Sequence, residues 1–198
     1  MNDRLRIIGI TGGVGTGKTT VANIYAQMNN AYVIFTDLVA KELQLKGKTC
    51  YNLIVEHFGR DILTENESID RGRLAQIVFE NEKELGILNS IVHKEVIIKV
   101  KDIIEEINLQ KKYNIILLES AILCQVKQLM ELCDEIWYVE SKNEDRRERL
   151  KRERNYSDER ITSMMNSQEC IHLIKNQCDK VIINDRELEE LKEYLATM

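Results

Sequence analysis

Proline is missing from this sequence. Its 198 residues contain none, where average usage would supply about ten, so polyproline segments, proline-rich linkers and native cis-proline turns are excluded. We expect every turn and helix end to use Gly, Asn, Asp or Ser instead. The five cysteines include no Cys-x-x-Cys pair, which predicts reduced thiols in a cytoplasmic protein rather than a disulfide or zinc framework.

Long apolar stretches and a strong charge of one sign are missing as well. The longest hydrophobic runs, such as residues 115–118, are only strand-sized, and the N-terminus has no signal-peptide pattern. We therefore expect no membrane span. The net charge of −5 argues against nonspecific binding to nucleic acid. The 43% of hydrophobic and 31% of charged residues match a globular domain with one core.

Short apolar segments alternate with helical patterns along most of the chain. The predicted strands cover residues 5–11, 32–35, 114–119, 135–140 and 180–183, and the helical patterns between them include residues 126–132 and 143–154. This alternation predicts a parallel sheet with helices on both faces. Residues from about 40 to 110 show helical patterns without a strand, and we expect them to form an inserted lobe.

The most informative motif is a glycine cluster between the first predicted strand and the first predicted helix. Residues 12–19 read Gly-Gly-Val-Gly-Thr-Gly-Lys-Thr and fit the phosphate-loop pattern Gly-x4-Gly-Lys-Ser/Thr. Glycines let backbone N–H groups approach an anion, and the helix N-terminus adds its dipole. Lys18 is placed to reach the β- and γ-phosphates, and the Thr19 hydroxyl to bind Mg²⁺. The motif predicts a nucleoside triphosphate site but no particular reaction.

Three classes of protein carry such a loop: small-molecule kinases, GTPase switches, and mechanical or nonenzymatic ATPases. No glycine follows an Asp by three residues, and the guanine-reading Asn-Lys-x-Asp is absent, which disfavours a GTPase. A larger ATPase stays open, because the strand at 115–118 ends in Glu119, a carboxylate that could bind Mg²⁺.

Two features favour a kinase. Asp37 ends the second predicted strand, where it could accept the proton of an acceptor hydroxyl; its alternative role is that of a helix cap. Six cations lie between Arg146 and Arg154. Arginines on a mobile helical flap could neutralise charge on the γ-phosphate, but the interleaved acidic residues equally suit a solvated helix.

Several further segments make the chain resemble the dephospho-coenzyme A kinases. They are residues 33–37, 56–59, 70–74, 77–79, 88–93, 165–168 and 178–185, which follow in order along nearly the whole chain. The resemblance implies a P-loop NTPase fold of class α/β, a three-layer α/β/α core with a five-stranded parallel sheet, a helical substrate-binding lobe and a small helical lid. It implies transfer of the ATP γ-phosphoryl to the ribose 3′-hydroxyl of dephospho-CoA, the last step of coenzyme A synthesis.

The resemblance also implies roles for individual residues. It places ATP on Gly13, Val14, Gly15, Thr16, Gly17, Lys18, Thr19, Thr20, Asn184 and Asp185, and Mg²⁺ on Thr19. It gives catalytic roles to Asp37, Lys18, Arg149 and Arg154, and acceptor binding to Asp37, Arg71 and His93. The chain departs from the family pattern at Phe35, where an Asp is lost, at Gln125, where an acidic residue is lost, and at Lys94 and Ala121, which replace prolines.

These inferences predict one kinase domain spanning residues 1–198. We expect a core of residues 1–38 and 111–198, a substrate lobe of about 39–110, and a lid of about 145–167. The expected state is a monomer or a weak homo-oligomer without nucleic-acid or membrane partners. Another small-molecule kinase, such as a nucleoside monophosphate kinase, and an ATP-dependent switch or assembly factor remain alternatives.

Overall fold

The computed structural model describes residues 4–166, 174–185 and 187–198. The chain forms two compact units. The first unit contains Met1–Ile34 and Ile107–Met198, and the second contains Phe35–Glu106. Cys170, residues 167–168 of one family-like segment and the end of the expected lid at residue 167 lie outside the described residues.

The described secondary structure consists of strands and helices in alternation, with a helical stretch between the second and third strands. The strands are β1 (Arg6–Gly12), β2 (Ala31–Phe35), β3 (Ile115–Glu119), β4 (Glu135–Glu140) and β5 (Lys180–Ile183). The α-helices are α1 (Lys18–Asn29), α2 (Thr36–Leu43), α3 (Thr49–Phe58), α4 (Arg71–Phe79), α5 (Glu82–Gln110), α6 (Lys127–Met130), α7 (Asn143–Arg154), α8 (Asp158–Asn166) and α9 (Leu188–Ala196). Short 3₁₀ turns occupy Arg60–Ile62 and Leu123–Gln125.

The five strands form one sheet in the order β2-β3-β1-β4-β5. The pairs of β1 with β3, β1 with β4 and β4 with β5 are parallel, with Ile10 opposite both Glu119 and Trp137. Parallel neighbours require a crossover between them, which the intervening helices supply. The predicted α/β fold with a five-stranded parallel sheet is confirmed.

The core of the first unit lies between the sheet and two helices. Ile8 and Ile10 of β1 are fully buried together with Val21 of α1 and Leu191 of α9. Side chains alternate between the faces of a strand, so Gly9 faces the other side. There a Cβ at Gly9 would lie 2.6 Å from Leu123 Cδ2 and 2.9 Å from Cys133 Sγ. The segment after β3 therefore packs tightly on that face.

The second unit is helical except for one isolated antiparallel bridge between Leu63 and Ile69. Its buried side chains include Cys50 and Ile54 of α3 and Leu74 of α4. Helix α5 continues for 29 residues through Lys94, where an interior proline would remove a backbone hydrogen bond and kink the helix. Among the described helices, none has the length and apolar composition that a membrane crossing requires.

The expectation for helix ends is correct at some positions and wrong at others. Asn30 and Asn155 end α1 and α7 in the left-handed region, with φ of 49° and 50°. Lys111, however, follows α5 with φ of 53°, and Gln44 ends α2. A lysine can adopt the left-handed conformation at a cost of about 1–2 kcal/mol. The absence of proline therefore does not restrict helix ends to Gly, Asn, Asp or Ser.

Candidate active site

The phosphate loop lies between the carboxyl end of β1 and the amino end of α1. Gly17 is the residue before α1 and has φ of 85°, in the left-handed region that favours glycine. The Thr16 hydroxyl donates to the Gly13 carbonyl oxygen at 2.9 Å, which closes the turn. Thr16 is buried. The sequence thus forms a tight loop whose chain runs directly into a helix N-terminus, the arrangement that binds phosphate.

Lys18 folds back over this loop. Its Nζ donates to the Gly13 carbonyl oxygen at 2.9 Å and to the Gly12 carbonyl oxygen at 3.1 Å. An ammonium group held there adds positive charge beside the loop amides. The loop, Lys18 and the helix N-terminus together provide a site for a polyphosphate.

Thr19 meets a carboxylate from the neighbouring strand. Its Oγ1 donates to Glu119 Oε2 at 3.0 Å, and Glu119 is the last residue of β3. Hydroxyl and carboxylate oxygens are ligands that Mg²⁺ accepts, usually one or two from the protein with substrate phosphates and water. Two oxygen donors from the protein leave positions for phosphate oxygens, so the pair fits a cation bound jointly with a nucleotide. Within the described part of the chain, no cluster of three or more His, Cys, Asp or Glu suited to a metal occurs.

Helix α7 holds the loop from its other side through Arg149. The Arg149 guanidinium donates to the carbonyl oxygens of Gly15 at 3.4 Å, Thr16 at 3.3 Å and Asn184 at 2.8 Å. It also donates to Ser141 Oγ at 3.1 Å. The resemblance implies a place for Arg149 at the γ-phosphate. In the structure its donors hold the loop backbone, so a contact with the γ-phosphate requires some of these bonds to exchange.

Arg154 and Arg149 differ in their surroundings. Arg154 lies in the last turn of α7 and is exposed. Residues five apart are turned by about 140° from each other around a helix, so they do not share a face. The structure therefore brings Arg149, and not Arg154, to the phosphate loop.

Asn184 joins the last strand to the loop. It is 4% exposed, its Nδ2 donates to the Thr16 carbonyl oxygen at 2.8 Å, and its backbone N–H donates to the Glu140 carbonyl oxygen at 2.7 Å. Asp185 forms an ion pair with Lys142 at 3.4 Å. The resemblance implies that both residues contact adenine. The structure adds a supporting role for Asn184 beneath the loop.

Three predicted residues belong to the second unit. Asp37 is exposed in the first turn of α2, which begins at Thr36 after the N-cap residue Phe35. Asp37 therefore lies inside the helix, and the alternative that it is the cap of this helix is wrong. Arg71 begins α4 after Asp70, which caps the helix by accepting from two backbone N–H groups. His93 lies within α5, and burial lowers its pKa.

Sequence reasoning missed one contributor to the loop and named another only for a different class of protein. Arg146, within the charged run, donates from Nε to the Val14 carbonyl oxygen at 2.9 Å. The sequence offers Glu119 as a Mg²⁺ ligand, but only under the larger-ATPase alternative. Both contacts join residues at least 100 positions apart, and only the strand-end position of Glu119 gives a signal.

A parallel sheet with a glycine-rich loop between its central strand and a helix, together with Lys18 and the Thr19–Glu119 pair, defines a P-loop nucleotide-binding protein. Comparisons with known proteins identify a family within this class. A family model described as dephospho-CoA kinase matches residues 6–190.

Two curated relatives carry the same description. The dephospho-CoA kinase of Carboxydothermus hydrogenoformans is 33% identical over 194 residues, 98% of this chain and 93% of that protein. That of Bacillus anthracis is 35% identical over 198 residues, 97% of this chain and 94% of that protein. The chain belongs to the dephospho-CoA kinase family.

A solved structure supports the fold. The dephospho-CoA kinase from Campylobacter jejuni superposes with a TM-score of 0.62 at 18% identity, and the match covers 97% of this chain and 94% of that one. Because the chain belongs to the dephospho-CoA kinase family, the protein is a kinase, a phosphotransferase of the P-loop fold, and its family implies ATP as the phosphoryl donor.

Proposed function

We propose that this chain transfers the γ-phosphoryl group of ATP to the 3′-hydroxyl of the ribose of dephospho-CoA, which yields coenzyme A. The observation that carries the proposal is a complete phosphate loop, with Lys18 folded over it and Thr19 bonded to Glu119, in a chain whose family membership extends over residues 6–190.

The nucleotide contacts follow from the loop. Residues 13–20 hold the ATP phosphates through backbone N–H groups and the hydroxyls of Thr19 and Thr20, while Lys18 exchanges its carbonyl partners for phosphate oxygens. These donors are held before the reaction begins, so they stabilise negative charge that grows on the transferring group. Asn184 and Asp185 contact the adenine in this proposal.

Thr19 and Glu119 would hold Mg²⁺. When bound, the ion neutralises charge on the β- and γ-phosphates. The protein's own contribution is to fix the two oxygen donors beside the loop, through the register that sets Glu119 opposite Ile10.

The acceptor side uses residues of the second unit. Asp37 takes the proton of the 3′-hydroxyl as the new P–O bond forms, which leaves ADP as the departing group. Arg71 and His93 bind the acceptor. Residues 145–167 close as a lid, and this closure brings Arg149 and Arg154 to the γ-phosphate, whose charge they neutralise. We propose a monomer or weak homo-oligomer without nucleic-acid or membrane partners.

We place the protein in the cytoplasm because the cysteines of the described residues, Cys50, Cys124, Cys133 and Cys178, are free thiols. Free thiols persist in reducing compartments.

One assay tests the proposal. The purified chain is incubated with ATP and Mg²⁺ and either dephospho-CoA, a panel of nucleoside monophosphates or no acceptor, and products are measured by chromatography and mass spectrometry. We expect coenzyme A and equimolar ADP with dephospho-CoA alone. Turnover restricted to a nucleoside monophosphate would identify a different kinase, and hydrolysis without acceptor at the same rate would identify an ATP-dependent switch. A Lys18→Ala variant controls for contaminating kinases.

A further inference from the structure

Arg146 reaches the outer side of the phosphate loop from the first turn of α7. Besides the bond from Nε to the Val14 carbonyl oxygen, Nη1 donates to Asn143 Oδ1 at 3.1 Å. The backbone carbonyl oxygen of Arg146 lies 2.9 Å from the position of a Cβ at Gly15. Side chain and backbone of Arg146 therefore both pack on the residues at the tip of the loop.

The fold gains little from this arginine. Its Nη2 is buried and has no hydrogen-bond partner among the described residues, and burial lowers the pKa of the guanidinium. Arg146 as a whole is only half-buried, but a cation whose buried donor is unsatisfied costs stability, and apolar groups of similar volume are often neutral or stabilising in such positions. Stability therefore does not explain why an arginine lies here.

The bond to Val14 does affect the loop amides. The Val14–Gly15 peptide is trans, so its carbonyl oxygen and its N–H point to opposite sides. Holding the Val14 oxygen toward α7 turns the Gly15 N–H away from α7. Arg149 holds the next two carbonyl oxygens, those of Gly15 and Thr16, in the same manner. Successive amides turned to one side form an anion-binding nest.

We propose that Arg146 is a positioning residue for nucleotide binding: it fixes the Val14–Gly15 peptide so that the Gly15 amide is directed to the polyphosphate before ATP arrives. The inference rests on the proposed function only in that the loop binds ATP. Arg146 acts through the peptide and does not touch the nucleotide. Without it, ordering of the loop would have to accompany binding and would weaken affinity.

The test compares Arg146→Met with Arg152→Met, a matched control on the same helix. Arg152 is 67% exposed and pairs with its neighbour Glu153. Dissociation constants for ATP and for inorganic tripolyphosphate are measured by calorimetry, and stability by urea unfolding. We expect Arg146→Met to weaken both ligands by roughly tenfold without lowering the urea midpoint, and Arg152→Met to match the wild type.

Tripolyphosphate separates a loop effect from a contact with the base. If ATP binding weakens and tripolyphosphate binding does not, Arg146 acts on the nucleoside, and the proposal fails. Unchanged binding of both ligands also overturns it, as does equal weakening by Arg152→Met.

Two further variants keep the proposal testable if Arg146→Met does not fold. Arg146→Lys keeps the charge but loses the planar guanidinium whose Nε and Nη1 reach Val14 and Asn143 from two separate nitrogens, so we expect the same loss of affinity; wild-type affinity would show that only charge matters. Asn143→Ala, at an exposed position, removes the partner that orients Nη1, and we expect a smaller loss of roughly two- to threefold. No loss would contradict the positioning role.

Steady-state kinetics complete the test. We expect Arg146→Met to raise KM for ATP and to leave kcat near the wild-type value, because the reacting groups are unchanged. The ligand-binding measurements need no acceptor. A chain that binds ATP as described but does not phosphorylate dephospho-CoA would therefore refute the proposed function and leave this inference intact.

Discussion

Asp37 is an exposed carboxylate in the first turn of α2, and its proposed task is proton transfer. We expect Asp37→Asn to lower kcat by roughly 100- to 10,000-fold, the usual contribution of a general base. Binding of ATP should remain, because the phosphate loop is unchanged. The measurements are kcat with dephospho-CoA and calorimetry with ATP. Near-normal kcat in Asp37→Asn would remove Asp37 from the mechanism.

Thr19 offers a test of the magnesium site with an isosteric change. Thr19→Val removes the hydroxyl that now bonds Glu119, and Thr19→Ser keeps it. We expect Thr19→Val to need roughly 10- to 100-fold more Mg²⁺ for half-maximal activity, and Thr19→Ser to stay close to the wild type. The measurement is activity against free Mg²⁺, with complete loss in the presence of a chelator. Identical curves for the two variants would exclude Thr19 as a ligand.

The sequence alone predicted the part of the site whose residues are contiguous in the chain. The loop and its neighbours Lys18 and Thr19 lie in one motif whose glycines and spacing have a known physical purpose. The contacts of Arg149 with Gly15 and Thr16 were not predictable, because they join positions 134 and 133 residues apart. A run of charged residues shows that a helix is polar but not which cation it directs inward.

At the scale of elements, one glycine of the phosphate loop and one glycine of the loop after α2 have similar backbone conformations and can be compared by the same substitution. Gly17 and Gly47 have similar φ, 85° and 81°, but a Cβ at Gly17 would overlap the Asn184 side chain, whereas one at Gly47 meets nothing within 4 Å. We expect Gly47→Ala to cost only the backbone strain of about 1–2 kcal/mol.

Gly17→Ala should cost more than Gly47→Ala and should also weaken ATP binding, because Asn184 must leave the Thr16 carbonyl. Urea unfolding followed by circular dichroism, with calorimetry for ATP, measures both effects. Equal losses of stability with unchanged ATP affinity would show that Asn184 does not support the loop.

Glu135 joins three strands at their amino-terminal ends. Its carboxylate accepts from Lys180 of β5 at 2.9 Å, from the Trp137 indole at 2.7 Å and from Arg6 of β1, and its side chain is 14% exposed. Burial raises the pKa of this carboxyl, but the hydrogen bonds from Lys180, Trp137 and Arg6 outweigh it, so the pKa lies below its usual value of 4.5. The charged form therefore stabilises the folded state.

This shift gives a pH dependence with a defined sign. A carboxyl with a depressed pKa contributes stability above its unfolded pKa, and that contribution is lost as pH falls through the folded value. We expect Glu135→Gln to cost about 1–2 kcal/mol at neutral pH, with the difference from the wild type shrinking below pH 4.5. Urea unfolding of both proteins at a series of acidic pH values measures this difference in the free energy of unfolding. Glu131→Gln, in an exposed pair with Lys127, is the control; a constant difference at all pH values would contradict the linkage.

The ends of elements were less predictable than their existence. Helix α7 coincides with its predicted range, since Asn155 gives a clear stop. The helix predicted over 126–132 covers only Lys127–Met130, and Leu123 and Cys133 on either side of that range pack against Gly9. Packing between distant residues overrides local preference in such segments.

At the scale of the whole molecule, nucleotide binding should raise the free energy of unfolding. Trp137 is the only tryptophan in the sequence; it is 1% exposed and its ring centroid lies 4.8 Å from that of Tyr25. Its fluorescence therefore follows unfolding of the first unit. We expect ATP at a hundredfold excess over its dissociation constant to add about 2.7 kcal/mol, seen as a higher urea midpoint. Lys18→Ala should lose most of this gain; an equal gain in that variant would place ATP elsewhere.

The hydrogen bond from the Asn184 side chain to the Thr16 carbonyl oxygen also has a consequence for the order of folding. It joins residues 168 positions apart, and the central strand β1 pairs with β3 and β4, more than 100 residues later. Contacts this distant along the chain form slowly, because a large loop must close before they contribute. On the ribosome, β3, β4 and then β5 must all be synthesised before the residues that hold the phosphate loop can contact it. Competence to bind ATP should therefore be among the last properties that the newly made protein gains.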